Sequence, residues 1–129
     1  MSHYQDAIEF REAFQFTDKH SHGAFELQQK LITEEFIEVI EACAALKQED
    51  CYENAEALLK ELADLVFVCY QMAALEGWDL DEAMKRVFTS NMSKLGPDGT
   101  PVRRADGKIL KGSGYRPPIL TDLVEESND

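Results

Sequence analysis

Basic residues are scarce in this chain. Only 13 Lys and Arg stand against 25 Asp and Glu in 129 residues, a formal net charge of −12. That shortage excludes a general nucleic-acid binder, because phosphate contact wants a basic surface. A small phosphorylated ligand stays open, provided metal ions screen the carboxylates. Cysteine is scarce too. Cys43, Cys51 and Cys69 form an odd count with no CxxC pair, which excludes a zinc site built from closely spaced ligands. Cys43 and Cys69 sit in apolar helical context and are expected to be buried thiols, which fits a reducing cytoplasm. The first residues lack the apolar core of a signal peptide. The longest apolar run is interrupted by Glu61 and Asp64, so no membrane span is expected. Histidine is confined to His3, His20 and His22, in polar segments that read as surface. Helical di-iron carboxylate proteins need Glu-x-x-His pairs on bundle helices, and with no His after His22 that class is excluded. Neither an internal repeat nor a low-complexity tract is present.

What is there reads as one domain, 1–129, with a helical core over about 4–95 and a basic hairpin and arm over about 96–120. A first helix is expected over 4–18, with Ile8, Phe10, Phe14 and Phe16 as its apolar positions. After a polar break ending at Gly23, a second helix runs from Ala24 to about Lys47. Its apolar stripe is Leu27, Leu31, Ile37, Ile40 and Ala44. Gln48 to Tyr52 connects it to a third helix, from about Glu53 to a stop at Gly77. That third helix is apolar on nearly every side from Leu62 to Leu75, so it must be covered all round. In so short a chain a second subunit is the expected cover. Asp79 caps a fourth helix, with Glu82 completing a capping-box variant, and that helix runs to about Met92. Past Gly96 the composition turns to Gly and Pro. A small hairpin is expected over 102–110 around Asp106-Gly107, then an extended arm from Gly112 to Pro118. The fold class expected is therefore all-α: a four-helix-bundle core built with a second subunit, carrying a short C-terminal β-hairpin and extended arm.

Two acidic clusters stand out. Glu34, Glu35 and Glu38 fall on one side of the second helix, and Glu61 and Asp64 on one side of the third, at about 100° per residue. Like charges at i,i+3 and i,i+4 repel, and no Lys or Arg lies between Glu34 and Glu41 to offset them. A solvated acidic face explains the first cluster as readily as a site does. It explains the second less well, because Asp64 is flanked by core residues. If the two helices pack antiparallel, five carboxylates meet across the seam without basic partners. Mg²⁺ or Mn²⁺, which prefer hard oxygen ligands, would compensate them.

Glu34-Glu35-x-x-Glu38, 22 residues, then Glu61-x-x-Asp64 resembles the EExxE…ExxD signature of the MazG-like all-α nucleoside triphosphate pyrophosphohydrolases. Gly77-Trp78-Asp79-Leu80-Asp81-Glu82-Ala83 is similar to that family's lead into its next helix. Asn91-Met92-Ser93-Lys94 is similar to its phosphate-contacting Asn and Lys. The resemblance covers roughly residues 24–95. The glycine-rich basic tail, with Asp106-Gly107-Lys108 and Gly114-Tyr115-Arg116-Pro117-Pro118, resembles that of small phage-borne members.

The resemblance implies metal-dependent hydrolysis of a (deoxy)nucleoside triphosphate, with dGTP or GTP a first guess, to the monophosphate and pyrophosphate. It implies Glu35, Glu38, Glu61 and Asp64 as ligands of Mg²⁺, with Mn²⁺ able to substitute. Glu34, Glu35 and Glu38 become the catalytic group, with Glu34 free to orient or deprotonate the attacking water or to bind a second metal. Asn91, Lys94, Lys108, Lys111 and Arg116 become the substrate-binding set. A homodimer or homotetramer, no nucleic acid, no membrane, and a cytoplasmic location (that of the host cell if phage-encoded) complete what it implies. Phosphoribosyl-ATP pyrophosphohydrolase shares the leaving group and stays open, as does a non-catalytic acidic helical interaction module.

Several residues are ambiguous on sequence. The tail cations Lys94, Arg103, Arg104, Lys108, Lys111 and Arg116 read either as a mobile arm closing on the β- and γ-phosphates or as a solvated hairpin. Asn91 either donates to a phosphate or caps its helix. Trp78 reads as packing over base stacking, and Phe25 and Tyr115 share that ambiguity. Gln28 and Gln29 either read a base edge or lie on an exposed face. Met72, Met84 and Met92 read as core or interface fillers.

Overall fold

The computed structural model describes residues 2–16 and 23–125. Its elements are α1 (His3–Ala13), α2 (Ala24–Gln48), α3 (Tyr52–Glu76), α4 (Leu80–Met92), β1 (Val102–Arg103), β2 (Ile109–Leu110) and α5 (Thr121–Val124). The all-α class with a small C-terminal hairpin is as expected. Two compact units divide the chain, Met1–Trp78 and Asp79–Asp129.

In the first unit α2 and α3 form a helical hairpin, with α1 packed on α3. The pairing is antiparallel, because Gln28 of α2 bonds to Val68 of α3 near one end and Ala45 to Asn54 near the other. Asn54 Nδ2 donates to the carbonyls of both Ala45 and Glu49, at 3.2 and 2.9 Å. It thereby adds a second donor at Ala45 O, which also accepts from Glu49 N–H, and supplies one to the Glu49 carbonyl just past the end of α2. Gly77 closes α3 in the left-handed conformation, φ 78°, and Trp78 N–H donates back to Ala73, a Schellman closure.

The first helix is shorter than expected. It ends at Ala13, because Gln15 takes the same left-handed role at φ 63° and Phe16 N–H donates to Arg11 O at 2.7 Å. Nothing in the residue type announces this stop, since Gly is the usual occupant of that position. Residues 17 and 18, and His20 and His22, lie outside the described residues. Phe10 meets Phe67 edge-on at 5.0 Å and tilts against Phe14 at 4.6 Å, which fastens α1 to α3. His3 is exposed, as expected, and its ring tilts against Tyr70.

The buried apolar core is small: Ala7, Val39, Tyr70, Ala73 and Leu75. Leu59, Leu62, Val66 and Phe67 of α3, and Phe36, Ile37 and Ile40 of α2, remain exposed. Cys43 is exposed rather than buried. Cys69 is half-buried, and that burial pushes its thiol pKa up. Met84 and Met92 are exposed, so of the three methionines only Met72 is partly enclosed. Trp78 is 37% exposed.

In the second unit Asp79 Oδ1 accepts from Glu82 N–H and starts α4. The Glu82 side chain does not complete the box. It pairs with Arg86, which also forks onto Asp122 at 2.6 and 3.0 Å. The hairpin pairs Val102 with Leu110 and Arg103 with Ile109, turning at Gly107 with φ 89°. Among the described residues no helix is long and apolar enough to cross a membrane.

Candidate active site

The α2–α3 seam brings both acidic clusters together. Glu35, Glu38, Glu61 and Asp64 each offer a carboxylate oxygen within 4.8 Å of the others. Four of the five expected carboxylates converge. Glu34 is exposed and stands outside the group, because one residue along a helix turns a side chain by about 100°. Glu38 sits at the exposed side of the group, while Glu35, Glu61 and Asp64 are partly enclosed.

Two oxygens in this group are buried without any hydrogen-bond partner, Glu35 Oε2 and Glu61 Oε2. A buried acceptor left unmade costs about 1–3 kcal/mol, more when charged. Four such carboxylates, two with an orphaned oxygen, suit an oxygen-seeking divalent cation by number and by chemistry.

The expectation that no basic group reaches the cluster is wrong. Lys60 Nζ lies 2.7 Å from Asp64 Oδ2 and 3.5 Å from Glu61 Oε1. The hydrogen bond to Asp64 and the charges of Asp64 and Glu61 raise the lysine pKa. Its position four residues before Asp64 was the available signal. This ammonium is a single charge on a flexible stem whose side chain is 64% exposed. It can swing to water when a doubly charged ion enters, so its presence does not close the site.

The other predicted residues belong to the second unit. Asn91 is exposed at the end of α4, and Lys94 is partly enclosed just beyond it. The arm folds back on that end. Gly112 N–H donates to Lys94 O at 2.8 Å, Arg116 N–H donates to Ser93 Oγ at 2.9 Å, and Ser90 Oγ donates to Arg116 O at 2.7 Å. Gly112 is obligatory there, since an added Cβ would stand 2.5 Å from Leu95 O and 2.8 Å from Lys94 O. These bonds fasten residues 112–116 to the helix end that carries Asn91 and Lys94, and with them Arg116. Lys111 lies over the Tyr115 ring at 4.7 Å, a cation–π contact. Lys108 and Arg116 are exposed. Arg104, by contrast, is occupied by Asp106.

Of the ambiguous glutamines, Gln29 is exposed and Gln28 is not. Gln28 is 6% exposed and donates Nε2–H to Val68 O at 2.9 Å. Sequence reasoning passed over Gln71, 3% exposed, which accepts from Arg11 and donates to Ala7 O. A glutamine amid the apolar residues of α3 was the signal for it.

Residues 4–91 match the family described as Phosphoribosyl-ATP pyrophosphohydrolase. That match takes in both acidic clusters and runs to Asn91. No curated protein matches the chain.

Proposed function

The chain belongs to the phosphoribosyl-ATP pyrophosphohydrolase family, within the MazG-like all-α superfamily, and from that premise we propose that it cleaves a (deoxy)nucleoside triphosphate to the monophosphate and pyrophosphate. The observation that carries this reading is the pair of orphaned buried oxygens on Glu35 and Glu61 inside a four-carboxylate group. Glu35, Glu38, Glu61 and Asp64 would hold Mg²⁺, or Mn²⁺ in its place. When bound, the ion polarises phosphoryl oxygens and lowers the pKa of a coordinated water.

The chain's own groups do the rest. Glu34, exposed next to the group, orients the attacking water or takes its proton. Lys94, Lys108, Lys111 and Arg116 neutralise the phosphates, and Asn91 donates to one of them. Catalysis is then positioning plus charge neutralisation, as for other phosphoryl-type transfers. The exposed apolar side chains of α2 and α3, Phe36, Ile37, Ile40, Leu59, Leu62 and Val66 among them, are covered by a second copy, giving a dimer or tetramer.

A second reading is favoured by the family description itself: phosphoribosyl-ATP as substrate, with the same leaving group and the same carboxylates. One experiment separates the readings. Purified protein, with its mass measured in solution, is assayed with Mg²⁺ for pyrophosphate release from the common NTPs, the dNTPs and phosphoribosyl-ATP. Release from a triphosphate by a multimer, abolished by chelator, is expected. Release only from phosphoribosyl-ATP moves the substrate to the second reading. Release from none of them, or undiminished in chelator, overturns the function, and a monomeric mass overturns the self-association.

A further inference from the structure

A cavity of about 330 Å³ lies in the first unit beside the carboxylate seam. Phe10, Arg11, Phe16, Gln28, Phe67 and Gln71 are among its lining residues. Its size falls within the ~300–1,000 Å³ of small-molecule sites. Position relates it to the carboxylates. Gln28, Leu31, Glu35 and Glu38 follow one face of α2, and Gln71, Val68, Asp64 and Glu61 follow one face of the antiparallel α3. At about 1.5 Å per residue, Gln28 and Gln71 stand roughly 10 Å along their helices from Glu35 and Asp64. Leu31 and Val68, which also line the cavity, are about 6 Å away. A ribose with its 5′-phosphate bridges a distance of that order.

The polar groups of the cavity are specific about what they lack. Arg11 gives one N–H to Gln71 Oε1 at 3.2 Å and stacks its guanidinium 5.5 Å from the Phe16 ring. It is partly buried, and no carboxylate among the described residues pairs with it, although the chain has 25 acids. Its remaining donors have no partner among the described residues. Gln28 is fixed the other way. A backbone carbonyl only accepts, so the bond to Val68 O assigns Nε2 and leaves Oε1 as an acceptor with no donor among the described residues. Gln71 is satisfied at both ends. The site therefore offers aromatic faces, a donor fork and one acceptor.

Guanine presents the complement: O6 and N7 accept from an arginine fork, and N2–H₂ donates. Adenine places a donor where guanine places O6, and would face the arginine with N–H against N–H. We propose that this cavity holds the guanine base of the substrate triphosphate, with Arg11 reading O6 and N7, Gln28 Oε1 accepting from the base amino group, and phenylalanine rings covering its faces. The assignment rests on the triphosphate reading above and specifies its base.

The test compares kcat/KM for dGTP, dATP, 7-deaza-dGTP (which lacks N7) and dITP (which lacks the 2-amino group) in wild type, Arg11→Met and Arg11→Lys. Wild type is expected to prefer dGTP and to lose rate on both analogues. Both variants are expected to lose about 10–100-fold on dGTP and to become indifferent to N7, with little change on dATP. Arg11→Lys keeps the charge and guards against a folding failure of the methionine variant. No dGTP preference in wild type, or an equal loss on all substrates in Arg11→Lys, overturns the base assignment while leaving the hydrolase intact. If none of the common nucleoside triphosphates is cleaved, the triphosphate reading fails separately, and calorimetric titration with dGMP and dAMP decides the cavity. Guanine-selective binding lost in Arg11→Lys sustains the assignment, and unselective or absent binding overturns it.

Discussion

The acidic residues of the two units are treated in opposite ways. In the second unit Asp98 accepts from the Thr100 hydroxyl and amide, Asp106 from Arg104 and Lys108, and Asp122 from Arg86. Those donors hold all three carboxyl pKa values below the usual range. Such acids stabilise loops. In the first unit four acids are pressed together by helix geometry, one lysine serves two of them, and two buried oxygens have no donor. Where local structure is the purpose, charge is satisfied inside the chain. Where it is left unsatisfied on rigid helices, an external cation is the natural partner.

The sharpest way to break this contrast is Glu61→Gln. Removing a charge from the crowded group should raise the stability of the metal-free protein by about 0.2–0.5 kcal/mol, the scale of like-charge repulsion between neighbours on a helix. It should also abolish the rise in melting temperature on adding Mg²⁺ and cut pyrophosphate release by at least about 100-fold. A metal-free variant that melts lower than wild type contradicts the crowding argument directly. Gly112→Ala in the second unit should act only on structure. Its Cβ meets backbone, which cannot yield as a flexible side chain would, so the arm must lift at a cost of about 1–3 kcal/mol. Amide exchange at Gly112 and Arg116 should accelerate, while the Mg²⁺-induced melting shift stays as in wild type.

The smallest effect is expected from Asp122→Asn. The folded pKa of Asp122 lies below its unfolded value, so the pair with Arg86 contributes fully above about pH 4. That contribution is lost as the pH falls through the lower folded value. Exchange protection of residues 119–124 should exceed that of the variant at neutral pH and converge with it in acid. A difference independent of pH would show that the ion pair is not its source.

Much of this was legible because it depends on spacing alone. The helix period puts Glu35 with Glu38 and Glu61 with Asp64. The Gly77 stop, the Asp79 cap and the Asp106-Gly107 turn follow from local chemistry that tertiary packing did not override. What was missed depends on three dimensions or on an unusual residue. A glutamine at a left-handed position gave no sign that α1 would stop at Ala13. That Gln28 would bond to α3 depends on side-chain direction and on which helix lies opposite, whereas Lys60, four residues before Asp64 on the same helix, was legible from spacing and was passed over. The exposure of Cys43 reflects the same limit: an apolar context shows that a residue can be buried, and the packing of neighbours decides whether it is.

The seat of Gly112 has a consequence for the segment that precedes it. The main-chain bond to Lys94 ties the neck of the hairpin-bearing loop shut, so the arm beyond takes its register from that knot and not from the loop's contour. Residues could be added or trimmed at the Asp106-Gly107 tip for a small entropic difference, since closure cost grows only slowly with length. The tip is thereby a place where such a chain can change its reach while Arg116 keeps its anchorage.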